Sequence, residues 1–530
     1  MMIQRLLIVL LFVSSYANAQ NNYQLIDVSH YEFNVNLNDT TGMVVGKATI
    51  DFTPKRNTSS IVLNLVKKRE DKKGMDVSGV SLDKQTLSFT HYRDELKINF
   101  PQALNNTQSY TITVYYKGIP ADGLIFGKNK NNKIGFFADH WPNRARHWLP
   151  CNDHPSDKAA VDFIVTAPNH YQVVANGIET EVSNLSNNLR LTHYKETTPL
   201  PTKVMVIGVA DFARELVKTV SGIPVYSWVY AEDREKGFND YGVAADILPF
   251  YINKVGPYAY PKLANVQSKT RFGGLENANT IFYYENSVNG LNQNEALMAH
   301  EIAHQWFGNS ITETDWRHIW LSEGFATYFT QLYMSYAHGA DTALKISLQN
   351  REKALEYAHK ASKAIVDTTY ADPMDLLNPN SYEKAGWVLK MLHQQIGDSL
   401  FWATIQKFYS TYAGKNAATE DFIRMTEEVS GKNLQTFFKQ WLYQPQHPIL
   451  RVNSNYNSST QQIEIDIIQE QSYLFDTPLQ IELTTNEGKI TKAVQLKEKV
   501  THVAIALPSP TFKIKLDPQA RLFYELVNPN

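Results

Sequence analysis

The hydrophobic period of this chain changes twice, and that constrains its fold more than any other feature. From Tyr23 to about residue 214, apolar and polar residues alternate. Examples are Tyr31-Glu32-Phe33-Asn34-Val35-Asn36-Leu37, Ala48 to Phe52 and Tyr110 to Tyr116. A period of two marks half-buried strands, and turn residues between the runs predict an all-β domain of roughly 190 residues. From Asp240 to about Tyr443 the spacing is helical, which predicts helices at 240–254, 294–307, 322–338, 382–396 and 420–441. Thr419 before Glu420 and Asp421 is a helix start, and Gly308 and Gly397 are helix stops. After Gln444-Pro445-Gln446-His447-Pro448 alternation returns at Gln462–Ile467, Leu479–Leu483 and Phe512–Leu516. That predicts a small β-sandwich over the last eighty residues or so. The expected division is 1–19 as a signal peptide, 20–214 as an N-terminal β domain, 215–446 as the catalytic domain and 447–530 as the sandwich.

Composition removes whole classes of function. With 43% hydrophobic and 20% charged residues the chain is an ordinary folded protein, not a disordered or collagen-like one. Its 51 Lys and Arg balance 53 Asp and Glu, a net charge of −2 that gives nucleic-acid binding no support. Cys151 is the single cysteine, so there is no internal disulfide and no thiolate-built zinc site. At the start, Arg5 precedes the apolar run Leu6 to Val13, and Ala17-Asn18-Ala19 precedes Gln20. This reads as a cleaved export signal, too short to span a bilayer, so the expected location is periplasmic or extracellular. A buried N-terminal strand is the alternative. No later stretch reaches transmembrane length.

The chemistry is concentrated in His300-Glu301-Ile302-Ala303-His304. One helical turn separates the histidines, so both imidazoles project from one face and can share a metal. Glu301 sits beside that face and reaches a water at the metal without being a ligand. With 15 His in the chain, chance supplies such a pattern roughly 0.02 times in this length. A catalytic zinc needs a third protein ligand and an open position. Glu323, nineteen positions after His304, opens another helical stretch and supplies a carboxylate.

These residues resemble a known family. His-Glu-x-x-His, eighteen residues and Glu is the pattern of the gluzincin metallopeptidases. Trp316-x-x-x-Trp320-Leu321-x-Glu323-Gly324-Phe325-Ala326 narrows the resemblance to the aminopeptidase N and leukotriene hydrolase family. Gly273-Gly274-Leu275-Glu276-Asn277 is similar to that family's Gly-x-Met-Glu-Asn exopeptidase motif. Pro150-Cys151-Asn152-Asp153-His154-Pro155 and Tyr382-Glu383-Lys384-Ala385-Gly386 resemble two further segments in the same order. The resemblance implies a multidomain α+β protein: a saddle-like β domain, a thermolysin-like α/β catalytic domain and a C-terminal β-sandwich. It implies one Zn2+ per chain on His300, His304 and Glu323, with Glu301 as general base and Tyr382 stabilising the oxyanion. Glu276 would hold the substrate's free ammonium, with Gly273, Gly274, Leu275 and Asn277 lining the same subsite. The expected partners are peptides with a free N-terminus.

The departures carry expectations of their own. Leu275 stands where the family has methionine, His154 where it has Glu, and Thr330 where many members have Glu. Trp141 occupies a position at which the family often places Gln or Glu as a second amine anchor, and an indole only donates. Asp139 is the nearest acceptor in sequence, either a second anchor or a strand-end aspartate capping local backbone. The large helical domain of the family's long members has no counterpart here, which predicts a more open site. Three alternatives stay open: a zinc endopeptidase, an epoxide hydrolase with peptidase activity, and a binding protein without catalysis.

Overall fold

The computed structural model describes residues 25–507 and 510–527. The expected signal peptide at 1–19 lies outside the described residues. The described chain forms two compact units. The first comprises the chain up to Asn253, Pro257–Asp315 and Tyr412–Asn416; the second comprises Lys254–Gly256, Trp316–Thr411 and Ala417 onward.

In the first unit an eight-stranded sheet is built on Ile26–Leu37, which pairs antiparallel with Val44–Pro54 and parallel with Lys158–Pro168. The alternation seen in sequence works as expected. Tyr31, Phe33, Val35, Val161, Phe163 and Val165 are buried, while His30, Glu32 and Asn34 are part-exposed between them. A five-stranded mixed sheet follows in the order Phe212–Val220, Ile223–Tyr230, Leu263–Ser268, Thr280–Tyr284, Gly274–Leu275. Its last, two-residue strand is an edge, with Gly274 opposite Tyr283 and Leu275 opposite Phe282. Glu295–Ala303 is the helix that carries the first histidine.

The interior of this unit holds charges as well as apolar groups. Lys203 Nζ and Glu313 Oε1 meet at 2.5 Å, both essentially inaccessible. Lys158 Nζ donates to the carbonyls of Asn309, Ser310 and Lys415, and burial pushes its pKa down to about 7.

The second unit is helical and then β. Its helices are Trp320–His338, Ala340–Ala358, Ala385–Ile396, Asp398–Tyr412, Thr419–Ser430 and Gln435–Leu442. Phe325, Phe408, Phe422 and Phe438 pack ring against ring in its core, with Trp320 alongside. Two sheets follow. One runs Val500–Ala506, Gln462–Gln469, Ile449–Asn457, Glu525–Val527, and the other Gly488–Leu496, Thr477–Thr485, Phe512–Leu516. No helix among the described residues is long and apolar enough to cross a membrane.

Several predicted helices are divided. The one expected over 240–254 is two, Arg234–Tyr241 and Ala244–Lys254. That expected over 420–441 breaks at Gly431, whose φ of +66° is left-handed and ends the first helix. Thr419 does begin that helix, and Asp421 caps it by accepting from the Ala418 amide at 2.9 Å.

The buried pair gives a stability test. Lys203→Met leaves Glu313 charged and unpaired in the interior, a loss of about 3–5 kcal/mol. Thermal unfolding should therefore shift sharply down for Lys203→Met and largely recover in Lys203→Met with Glu313→Leu. A double variant as unstable as the single would contradict this.

Candidate active site

His300 lies in the last turn of Glu295–Ala303, and His304 is the residue that caps it with helical dihedrals. The helix stops short of Gly308 because the amides of Gln305 and Trp306 turn to carbonyls three residues back, tightening the chain. The two rings face each other with centroids 4.7 Å apart and planes at 82°. Their Nε2 atoms are 3.1 Å apart. His304 Nδ1 is 3.1 Å from the Phe307 carbonyl, an acceptor only, so Nδ1 carries the proton and Nε2 offers its lone pair. Glu323, in the first turn of Trp320–His338, is 3% exposed. One ligand atom from each of His300, His304 and Glu323 can be chosen so that all lie within 4.8 Å of one another. Two imidazole nitrogens and a carboxylate oxygen are the donor set of a catalytic zinc with three protein ligands. The residues fit the metal.

Glu301 is buried one position after His300. The edge strand Gly274–Leu275 runs tightly past it: a Cβ at Gly274 would stand 2.6 Å from Glu301 Cγ. Glycine is required there for close approach, not for a turn. Gly273 is exposed, and its carbonyl accepts from the Tyr284 amide at 3.0 Å. Leu275, Glu276 and Asn277 are 2%, 5% and 1% exposed. The Asn277 amide is buried with neither polar atom hydrogen-bonded. A buried amide in that state is costly unless a ligand completes it.

Asp139 requires a correction, because it is not an open acceptor. It follows the strand Ile134–Ala138 and is fully buried. One carboxylate oxygen is ion-paired with Arg144, and the other faces the Arg271 amide at 3.2 Å and the Thr270 hydroxyl at 3.4 Å. Burial raises its pKa and Arg144 opposes that rise. Its task is to tie residues 270–271 to the 139–144 corner. Trp141, 2% exposed, meets Phe272 edge-on at 6.5 Å, and Arg144 lies over the same ring. Arg144 is five residues away, but Thr270 and Arg271 lie in a distant segment, which is why sequence spacing alone left the role of Asp139 open.

Tyr382 stands in a π-turn, Asn380–Lys384, that leads into Ala385–Ile396. This turn packs on the helix carrying Glu323. Gly324 permits it, since a Cβ there would lie 2.5 Å from the Ala385 Cβ and 3.3 Å from the Ser381 carbonyl oxygen. Glu383 feels Glu323: burial raises its carboxyl pKa, Lys353 lowers it and Glu323 adds to the rise. The helix expected at 382–396 thus begins as a π-turn, a form that recurs at functional sites.

Comparison with known proteins agrees with this geometry. Residues 240–441 match the model of the peptidase family M1 domain, and residues 27–204 match that of the peptidase M1 N-terminal domain. The chain belongs to peptidase family M1. Among M1 relatives, aminopeptidase A of Gloydius brevicauda is 28% identical over 383 residues, 68% of this chain and 40% of that protein. Aminopeptidase M1-C of Oryza sativa subsp. japonica is 28% identical over 333 residues, 58% of this chain and 37% of that protein. The chain thus spans about two-fifths of the length of these curated M1 relatives. An M1 zinc metallopeptidase mutant from Deinococcus radiodurans, solved with a Tyr-Ser-Ala substrate, shares the M1 fold. The TM-score is 0.69 at 22% identity, covering 79% of this chain and 94% of that one.

The donor set predicts the metal content of variants. His300→Ala and His304→Ala should each retain less than about a tenth of the parent's zinc by elemental analysis, whereas Glu301→Gln should retain it in full. Loss of zinc in Glu301→Gln would mean that Glu301 is a ligand.

Proposed function

We propose that this M1 protein is an exported zinc aminopeptidase that removes single residues from the free N-termini of peptides. The observation that carries the reading is the grouping of His300, His304 and Glu323, with Glu301 following His300 and the Gly274–Leu275 strand, which leads into Glu276, against it. Zinc on the three ligands, one per chain, would supply the Lewis acid that polarises the scissile carbonyl and acidifies water. Glu301 takes the proton of the attacking water and later delivers one to the leaving amine. Tyr382 donates a hydrogen bond to the oxyanion that develops as the carbonyl becomes tetrahedral. Glu276 accepts from the substrate ammonium, a charge-assisted bond of about 1.5–3 kcal/mol. It limits cleavage to the first peptide bond, and the Asn277 amide lies in the same subsite. Export rests on the first twenty residues, whose short positive start, apolar run and Ala17-Asn18-Ala19 have the form of a cleaved signal. The N-terminal β domain is assigned to 20–214, the catalytic domain to 215–446 and the sandwich to 447–530.

Aminoacyl fluorogenic substrates test the assignment. Chelation should abolish turnover and stoichiometric zinc should restore it. Tyr382→Phe should lower kcat about 100- to 1000-fold with little change in binding. A value within threefold of the parent would remove Tyr382 from the catalytic set. Gly274→Ala pushes against Glu301 and should lower kcat by about 10- to 100-fold at unchanged zinc content. Full activity in that variant would show that the strand and Glu301 are not in register for catalysis.

A further inference from the structure

The two residues immediately following the histidine motif that remain buried and polar, Gln305 and Asn309, have no part in the chemistry so far described. They are 1% and 0% exposed. Both direct side-chain amides at the carbonyl of Glu276, Gln305 Nε2 at 3.0 Å and Asn309 Nδ2 at 2.6 Å. Gln305 does more. Its Nε2 lies 3.5 Å from the Asn277 carbonyl and 3.4 Å from the Glu301 carbonyl, and its Oε1 accepts from the Asn279 amide at 2.7 Å. Residues 276–279 therefore hang from one side chain that is adjacent to His304. Asn309 is itself held, because its carbonyl accepts from the part-buried Lys158 and its backbone amide donates to the His304 carbonyl at 3.1 Å.

This bracket has a chemical consequence. In a peptide the free ammonium and the first carbonyl are separated by one Cα, so the distance from amine anchor to metal ligands must be constant for cleavage to stay at the first bond. A loop carrying the anchor on its own would drift relative to the ligand helix. We propose that Gln305 and Asn309 are positioning residues that hold Glu276 at a fixed distance from His300 and His304, and so set the exopeptidase register. This rests on the reading of Glu276 as the ammonium anchor. Asp139 and Arg144 secure the same segment at its other end, at residues 270–271.

The test uses the zinc-loaded chain and two probes that differ only in an amine, L-leucinol and 4-methylpentan-1-ol, with affinities measured by calorimetry. Gln305→Leu with Asn309→Ala should weaken leucinol binding by about tenfold or more. The amine-free alcohol should bind as it does to the parent, with zinc content unchanged. On a free-amine dipeptide, KM should rise by more than kcat falls, a split that general loosening of the ligand helix would not produce. Glu276→Ala separates the two readings. If it abolishes the amine-dependent difference while the double variant stays within twofold of the parent, the positioning role is wrong and the anchor stands. If Glu276→Ala leaves the difference intact, the anchor reading fails and this proposal fails with it. Should the double variant lose zinc or structure, Asn309→Ala alone decides. It removes a single hydrogen bond and should cost at least threefold in leucinol affinity, and no change would overturn the proposal.

Discussion

Two imidazole nitrogens, His300 Nε2 and His304 Nε2, are held 3.1 Å apart. His304 Nε2 offers its lone pair into that gap, where a shared cation or a proton on His300 can bridge the two rings. The Phe307 carbonyl orients one ring from behind, and the tightened turn after Ala303 sets where that carbonyl stands. A helix alone would place both histidines on one face. The turn that follows it determines the tautomer of the second and brings Gln305 and Asn309 inward.

Behind this site the first unit buries charge to a degree that stability alone does not favour. Lys203 with Glu313, Lys158 on three carbonyls and Asp139 with Arg144 all lie in its interior. Replacing such pairs with apolar groups is often neutral or stabilising. Their value here is geometric, because each ties segments distant in sequence. Lys158 holds Asn309, Asn309 holds Glu276, and Asp139 holds the start of the same loop. Glu276, the proposed amine anchor, is thus connected to the His300–His304 segment by polar bonds whose lengths cannot slip as an apolar contact can.

Much of the architecture was legible because hydrophobic period survives in long elements. The runs at Tyr31–Leu37, Ala48–Phe52 and Gln462–Ile467 all lie in strands. Ala340–Ala358 was not legible, since it buries only Ser347, Asn350 and Ala354 and so carries almost no apolar stripe. The strand Gly274–Leu275 is two residues long, below any periodic signal. The π-turn at Tyr382 has the same residue pattern as the α-helix it opens. At the site, motif spacing singled out His300, His304 and Glu323, which the fold groups, because metal chemistry demands residue types at set intervals. Asp139 could not be assigned that way. Its partners Thr270 and Arg271 lie more than a hundred positions on, and only the folded chain brings them to it. Gln305 and Asn309 were missed for a related reason: read as a helix to 307, the segment gives no sign that both amides turn to one carbonyl.

In the proposed function, the His300, His304 and Glu323 group, the neighbouring Glu301 and the bracketed Glu276 carboxylate together remove residues one at a time from a free N-terminus. Mass spectrometry of an unblocked decapeptide during incubation with the purified zinc-loaded chain reads this out. The expected result is a ladder of products each shorter by one N-terminal residue, absent after chelation and absent for the N-acetylated decapeptide. Internal cleavage, or a ladder that persists in metal-free protein, would contradict it.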